Sequence, residues 1–193
     1  MQETEITVQV LDSLDNITRK LAEQGFVLKK ERLMNDWYYT KYDMDAFKQM
    51  SYADMIANSF MVRRIVDDKD LKLLTYKKKV LDSQGSVIAE EKIECKIDSV
   101  DHALNILDAA RLNCWSRMEQ RMLIYTKENI EFALQIVDGL GIFIEYEEDD
   151  TMLGLDEYAK IKHMADTLRR LGLKLGDDLS CKKVYLKFKR EHD

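Results

Sequence analysis

The chain has 193 residues, 46% apolar and 34% charged, with a net charge of −6 and a pI near 5.2. That length carries a real core and reads as one domain, residues 1–193. The acidic balance argues against a general nucleic-acid binder, and no apolar run nears the ~18 residues that span a bilayer. A soluble cytoplasmic protein is therefore expected. Cys95, Cys114 and Cys181 are odd in number and far apart, with no C-x-x-C, and read as buried free thiols.

Glu3 to Val10 alternates polar and apolar residues and reads as a strand, with Glu3 and Glu5 on one face and Ile6, Val8 and Val10 on the other. Asp12 and Ser13 offer an N-cap for a helix through Leu14, Ile17 and Leu21, which Gly25 ends. Val27 to about Tyr42 is extended and aromatic. Asp43 to Ser59 fits a short helix with loops. Phe60 to Asp67 and Leu71 to Leu81 read as a strand pair joined by Asp68-Lys69-Asp70, and Val87 to Ile97 as a third strand. That third strand puts Val87, Ala89, Ile93 and Cys95 on one face and Glu90, Lys92, Glu94 and Lys96 on the other.

Asp98-Ser99 caps a second helix. Asn113 to Thr126 and Asn129 to Val137 are strands. Gly139 and Gly141 turn the chain into a strand with Glu145 and Glu147 on one face and Ile142, Ile144 and Tyr146 on the other. Leu155 to Leu171 is an amphipathic helix stopped by Gly172, and Lys182 to Lys189 reads as a closing strand. A short internal echo relates the halves: Leu11-Asp12-Ser13-Leu14-Asp15 matches Ile97-Asp98-Ser99-Val100-Asp101, and the same shift takes Tyr39-Thr40 onto Tyr125-Thr126.

Many antiparallel strands with a few helices imply an α+β fold. The polar strand faces are charged almost throughout, while each helix has one apolar stripe needing an apolar strand face to cover. If the helices pack outside a closed β-barrel of about eight strands, the charged faces line a polar tunnel. Burying so many charges is costly unless they are paired or bind ions. Bases in such a lumen suit a phosphate chain, and paired carboxylates suit Mg²⁺ or Mn²⁺. The competing reading is a sheet whose charged faces meet solvent.

Several stretches resemble the CYTH, or triphosphate tunnel, family, which includes class IV adenylate cyclases and thiamine triphosphatases. Glu3-x-Glu5 resembles the E-x-E-x-K signature. Asn35-Asp36-Trp37-Tyr38-Tyr39 resembles the D-x-Y-[FY] strand, and Phe60-Met61-Val62-Arg63 the L-R-I-R strand. Leu74-Thr75-Tyr76-Lys77 is similar to L-T-Y-K, and Lys92-Ile93-Glu94 to R-x-E. Gly139-Leu140-Gly141-Ile142-Phe143-Ile144-Glu145-Tyr146-Glu147 is similar to G-L-G-x-F-x-E-x-E. These motifs fall in the family's order along essentially the whole chain.

The resemblance implies Glu3, Glu5, Glu145 and Glu147 as ligands of Mg²⁺ or Mn²⁺. It implies Arg63, Lys77, Lys92 and Arg121 as phosphate-binding cations, with Glu94 orienting one of them. The implied activity is metal-dependent processing of a small-molecule triphosphate or nucleotide, by hydrolysis or by cyclisation; no nucleic acid or membrane partner is implied, and a homodimer is allowed for. Three departures stand out: Thr7 replaces a lysine, Met61 an arginine, and Gln135 an aspartate. They motivate the alternative of a catalytically weakened module that binds a polyphosphate or nucleotide.

Overall fold

Residues 4–81 and 87–192 are described in the computed structural model. In chain order the elements are β1 (Glu5–Val10), α1 (Leu14–Glu23), β2 (Val27–Thr40), α2 (Met44–Lys48), α3 (Tyr52–Ala57), β3 (Asn58–Val66), β4 (Asp70–Leu81) and β5 (Val87–Lys96). There follow α4 (Val100–Ala109), β6 (Asn113–Lys127), β7 (Ile130–Val137), β8 (Gly141–Glu147), a 3-10 turn (Asp150–Met152), α5 (Glu157–Arg170) and α6 (Lys183–His192). The α+β class is as expected. The strands form one eight-stranded antiparallel sheet in the order β1-β8-β7-β6-β2-β3-β4-β5.

Among the described residues no ladder joins β1 to β5, so the sheet is not closed and the expected barrel is not confirmed. The free edge of β1 is taken by the segment that follows α5. Thr7 N–H donates to Leu179 O at 2.9 Å, Cys181 N–H to Thr7 O at 3.0 Å, and Gly176 N–H to Gln9 O at 2.8 Å. This covers a strand edge that would otherwise template aggregation. At the far end, β5 is an edge strand, and Ile93 (70% exposed) and Cys95 stand in the open. Alternation in β5 therefore marks no buried face at these positions. Of the three free thiols, only Cys181 is buried.

The chain packs as two compact units, and β2 and β6 contribute to both. Of the described residues, the first holds 4–32 and 120–183. Its core sets Ile6, Val8, Val10, Ile144, Tyr146 and Leu134 against Ile17 and Leu21 of α1 and Met164 and Leu168 of α5. Each such side chain is worth ~1.5–3 kcal/mol of burial. The second holds 33–81, 87–119 and 184–192. There Tyr39 and Val62 pack on Ala103 and Leu107 of α4, and a separate aromatic cluster joins Phe47, Trp115 and Phe188. In both units the helices cover the apolar strand faces.

The closing strand expected over 182–189 is instead α6. Val184, Tyr185 and Phe188 enter the aromatic cluster, and His192 stacks on Phe188 at 4.3 Å. Those positions recur at helical spacing, and alternation over so few residues could not outvote them.

The internal echo extends through whole elements. A shift of 86 residues carries α1 onto α4 end to end. Ser13 and Ser99 are the N-caps, accepting from the N–H of Asn16 and His102. The C-terminal turns match as well: Gly25 N–H donates to Ala22 O and Phe26 N–H to Leu21 O, as Arg111 donates to Asp108 O and Leu112 to Leu107 O. Gly25 has φ +81°, and Arg111 takes the same role at φ 60°. The left-handed conformation is cheap for glycine and strained for a residue with a Cβ. Arg111→Gly is thus expected to stabilise the protein by about 0.5–1 kcal/mol and Gly25→Ala to destabilise it, as urea denaturation would measure.

Candidate functional site

The register of β1 on β8 sets Glu5 opposite Glu147 and Thr7 opposite Glu145. One carboxylate oxygen from each of Glu5, Glu145 and Glu147 lies within 4.8 Å of the others. The alternate residues Ile6, Val8, Ile144 and Tyr146 are locked into the core, so the strands cannot slip without exposing them. Like charges facing across a ladder repel, and the cluster calls for a cation. Glu3 lies outside the described residues.

One cation is supplied by the chain. Lys183 Nζ lies 3.0 Å from Glu145 Oε2, which also accepts from Gln135 Nε2 at 3.0 Å. Lys183 donates in turn to Gln135 Oε1. Gln135, 1% exposed, stands on the same face of β7 as Ala133, the residue opposite Glu145. The remaining donor chemistry is oxygen only, with no sulfur or imidazole in the cluster. That set fits a hard divalent ion such as Mg²⁺ or Mn²⁺ and does not suit a soft one.

Three of the expected phosphate-binding cations lie in the second unit. Alternation through the paired registers of β2, β3, β4 and β5 places Asp36, Arg63, Lys77, Lys92 and Glu94 on one face, opposite Val62 and the cover of α4. Arg63 makes a forked pair with Asp36, Nε to Oδ1 and Nη2 to Oδ2, both at 2.7 Å. The Asp36 side chain is fully buried and that of Arg63 is 25% exposed. Tyr38 donates to Asp36 at 3.4 Å, and burial, together with the Asp36 carboxylate, pushes its hydroxyl pKa well up.

Lys77 stands directly opposite Lys92. Two lysines across a ladder are unfavourable by themselves. Glu94 offsets the pairing: Lys92 Nζ is 2.7 Å from its carboxylate, and Thr75 Oγ1 donates to it at 3.1 Å. The hydrogen bond from Lys92 holds the Glu94 carboxyl below its usual range, against a smaller desolvation effect.

Arg121 is placed differently. It sits opposite Ile136, which sits opposite Ile142, whereas Met122, Gln135 and Phe143 form the neighbouring row on the other face. Glu145 shares that other face, so Arg121 and the carboxylates lie on opposite sides of the sheet. Arg121 forks onto Glu31 at 2.6 and 3.1 Å, with both side chains nearly half exposed. The structure does not bring it to the cluster.

Two polar residues at the cluster are only partly legible in the sequence. Gln135 is visible as a departure from a motif, and Lys183 as one of the C-terminal lysines that extend a basic lumen or lie at its rim, in a segment whose alternation imitates a strand. The helical recurrence of Val184, Tyr185 and Phe188 is the signal that could have placed Lys183 at a helix start.

Fold and site together describe an α+β sheet protein with a strand-borne carboxylate cluster. No family model matches the chain. A candidate adenylate cyclase of Methanocaldococcus jannaschii is 27% identical over 190 residues, 98% of this chain and 99% of that one. A Pyrococcus horikoshii structure superposes with TM-score 0.68 at 21% identity, covering 96% of this chain and 99% of that one. A Hippeastrum candidate adenylyl cyclase with a dominant triphosphatase activity superposes with TM-score 0.63 at 15% identity, covering 98% and 96%. The likenesses to the solved structures show a shared fold over nearly the whole chain. Among the described residues, no helix is long and apolar enough to cross a membrane.

Proposed function

We propose that this protein processes a small-molecule triphosphate or nucleotide with the help of Mg²⁺ or Mn²⁺. The observation that carries the reading is the approach of Glu5, Glu145 and Glu147 to within 4.8 Å on paired strands. These three would hold the ion, which when bound would neutralise phosphate oxygens and polarise the bond to the leaving group. Arg63, Lys77 and Lys92 would bind phosphate oxygens on their own sheet face. Asp36 keeps the Arg63 guanidinium oriented, and Glu94 does the same for Lys92. Fixed cations of this kind disperse charge as it shifts in phosphoryl transfer, and most of the rate comes from such positioning. The related candidate cyclases and the Hippeastrum triphosphatase agree with this chemistry at the level of substrate class.

The test is incubation with Mg²⁺ or Mn²⁺ and each of tripolyphosphate, ATP and thiamine triphosphate. Release of phosphate, or of pyrophosphate with cyclic AMP, is expected for at least one, and the product tells hydrolysis from cyclisation. No product from any substrate with either metal would end the enzymatic reading.

A second reading, a binding module with weakened catalysis, is favoured by the Lys183 ammonium on Glu145, alongside Thr7, Met61 and Gln135. Calorimetry with tripolyphosphate separates it from both an enzyme and an inert domain. Heat of binding without turnover supports the module; no heat with or without metal excludes it.

A further inference from the structure

Glu145 is held from two directions by neighbours that also hold each other. Lys183 Nζ and Gln135 Nε2 each lie 3.0 Å from the same carboxylate oxygen, and Lys183 donates to the Gln135 carbonyl. The ring is enclosed: side-chain exposure is 12% for Lys183 and 24% for Glu145, and Gln135 is 1% exposed. A lysine ammonium on a flexible stem normally wanders in solvent. This one has lost that freedom, and it stands as a fixed positive charge at the edge of the carboxylate cluster. Gln135 anchors it by hydrogen bonding alone and adds no negative charge of its own.

We propose that Lys183 is a resident counter-cation that sets how strongly the Glu5, Glu145 and Glu147 cluster binds a divalent ion. The inference rests on the reading of that cluster as a metal site. With Lys183 in place, an incoming ion meets a cluster with one carboxylate already neutralised, and it must approach a fixed positive charge. Both effects weaken its binding, and both act over a few ångströms in a partly desolvated setting, where charge is poorly screened. Lys183 is a positioning residue here: it restrains Glu145 and tunes the field.

The experiment is a Mn²⁺ titration of the full chain without any triphosphate, reading free Mn²⁺ by electron paramagnetic resonance. Wild type, Lys183→Met, Lys183→Arg and Glu147→Gln are compared, with near-ultraviolet circular dichroism to establish folding. Lys183→Met is expected to bind Mn²⁺ at least tenfold tighter than wild type, and Lys183→Arg within about threefold of it, because charge and not side-chain identity is the active property. Lys183→Gln, which keeps a hydrogen-bond donor for Glu145, makes the same test if the methionine variant does not fold. Equal or weaker binding in the neutral variant overturns the proposal. If Mn²⁺ binds wild type and neutral variant equally and Glu147→Gln abolishes it, the metal-site reading stands and the role of Lys183 alone falls. If no form binds Mn²⁺, the metal site falls and this proposal with it.

Discussion

On the proposed function, replacing Glu145 by glutamine is expected to lower triphosphate turnover at least ~100-fold while the protein stays folded, as removal of a charged metal ligand would. Glu145 is the most informative of the three carboxylates. It is half-buried, it meets Lys183 and Gln135, and it shares its oxygen neighbourhood with Glu5 and Glu147. The amide keeps the shape and can still accept from Gln135, but it removes the charge a metal would need. Loss of the Lys183 pair costs about 1–2 kcal/mol, because the pair is partly buried yet reached by water. Melting should therefore fall by roughly 2–8 °C, which leaves a folded protein to assay. Turnover within about threefold of wild type, for every substrate accepted, would remove the carboxylate cluster from the mechanism.

Asp36→Ala carries the largest expected cost in stability, about 3–5 kcal/mol, because it strands the Arg63 guanidinium on a sheet face where its carboxylate was fully buried. Both hydrogen bonds of the fork go at once, and Tyr38 loses an acceptor. The double change Asp36→Ala with Arg63→Met should recover much of the loss, since the uncompensated charge is then gone. Urea denaturation of the four proteins of the cycle measures this. A loss below about 1 kcal/mol in the single variant would show that Asp36 does not anchor Arg63. The pairing also bears on the proposed function: a guanidinium already forked to a carboxylate would be oriented before a phosphate bound.

Much of the fold could be read from side-chain periodicity, because burial enforces it. The caps at Ser13 and Ser99, the alternation of Ile142, Ile144 and Tyr146 against Glu145 and Glu147, and the α5 stripe through Met164 and Leu168 all follow from what must be inside. The missed features are set by distant partners. Whether β1 joins β5 depends on what else competes for its edge, and the Lys174–Cys181 segment wins there through backbone hydrogen bonds that no side-chain pattern announces. Arg121 shows a related limit. Its charge was legible, but its face is fixed by the register with Ile136, and register is a property of pairs. The pairing of Lys183 with Glu145 is hidden by a short segment in which two periods fit, and Gln135 could be noticed only against a motif.

The pairing of Glu5 with Glu147 has a consequence for how the molecule is made. The ladders of β3, β4 and β5 join neighbours in the chain and can zip as soon as those residues leave the ribosome. β1 emerges first, but its partner β8 follows only after the rest of the sheet, a delay on the order of 10 s at ~5–20 residues per second. Until then the nascent chain carries the apolar face of β1 without its β8 ladder. The carboxylate cluster is assembled in that pairing, so a chain that stops short of Glu147 cannot display it.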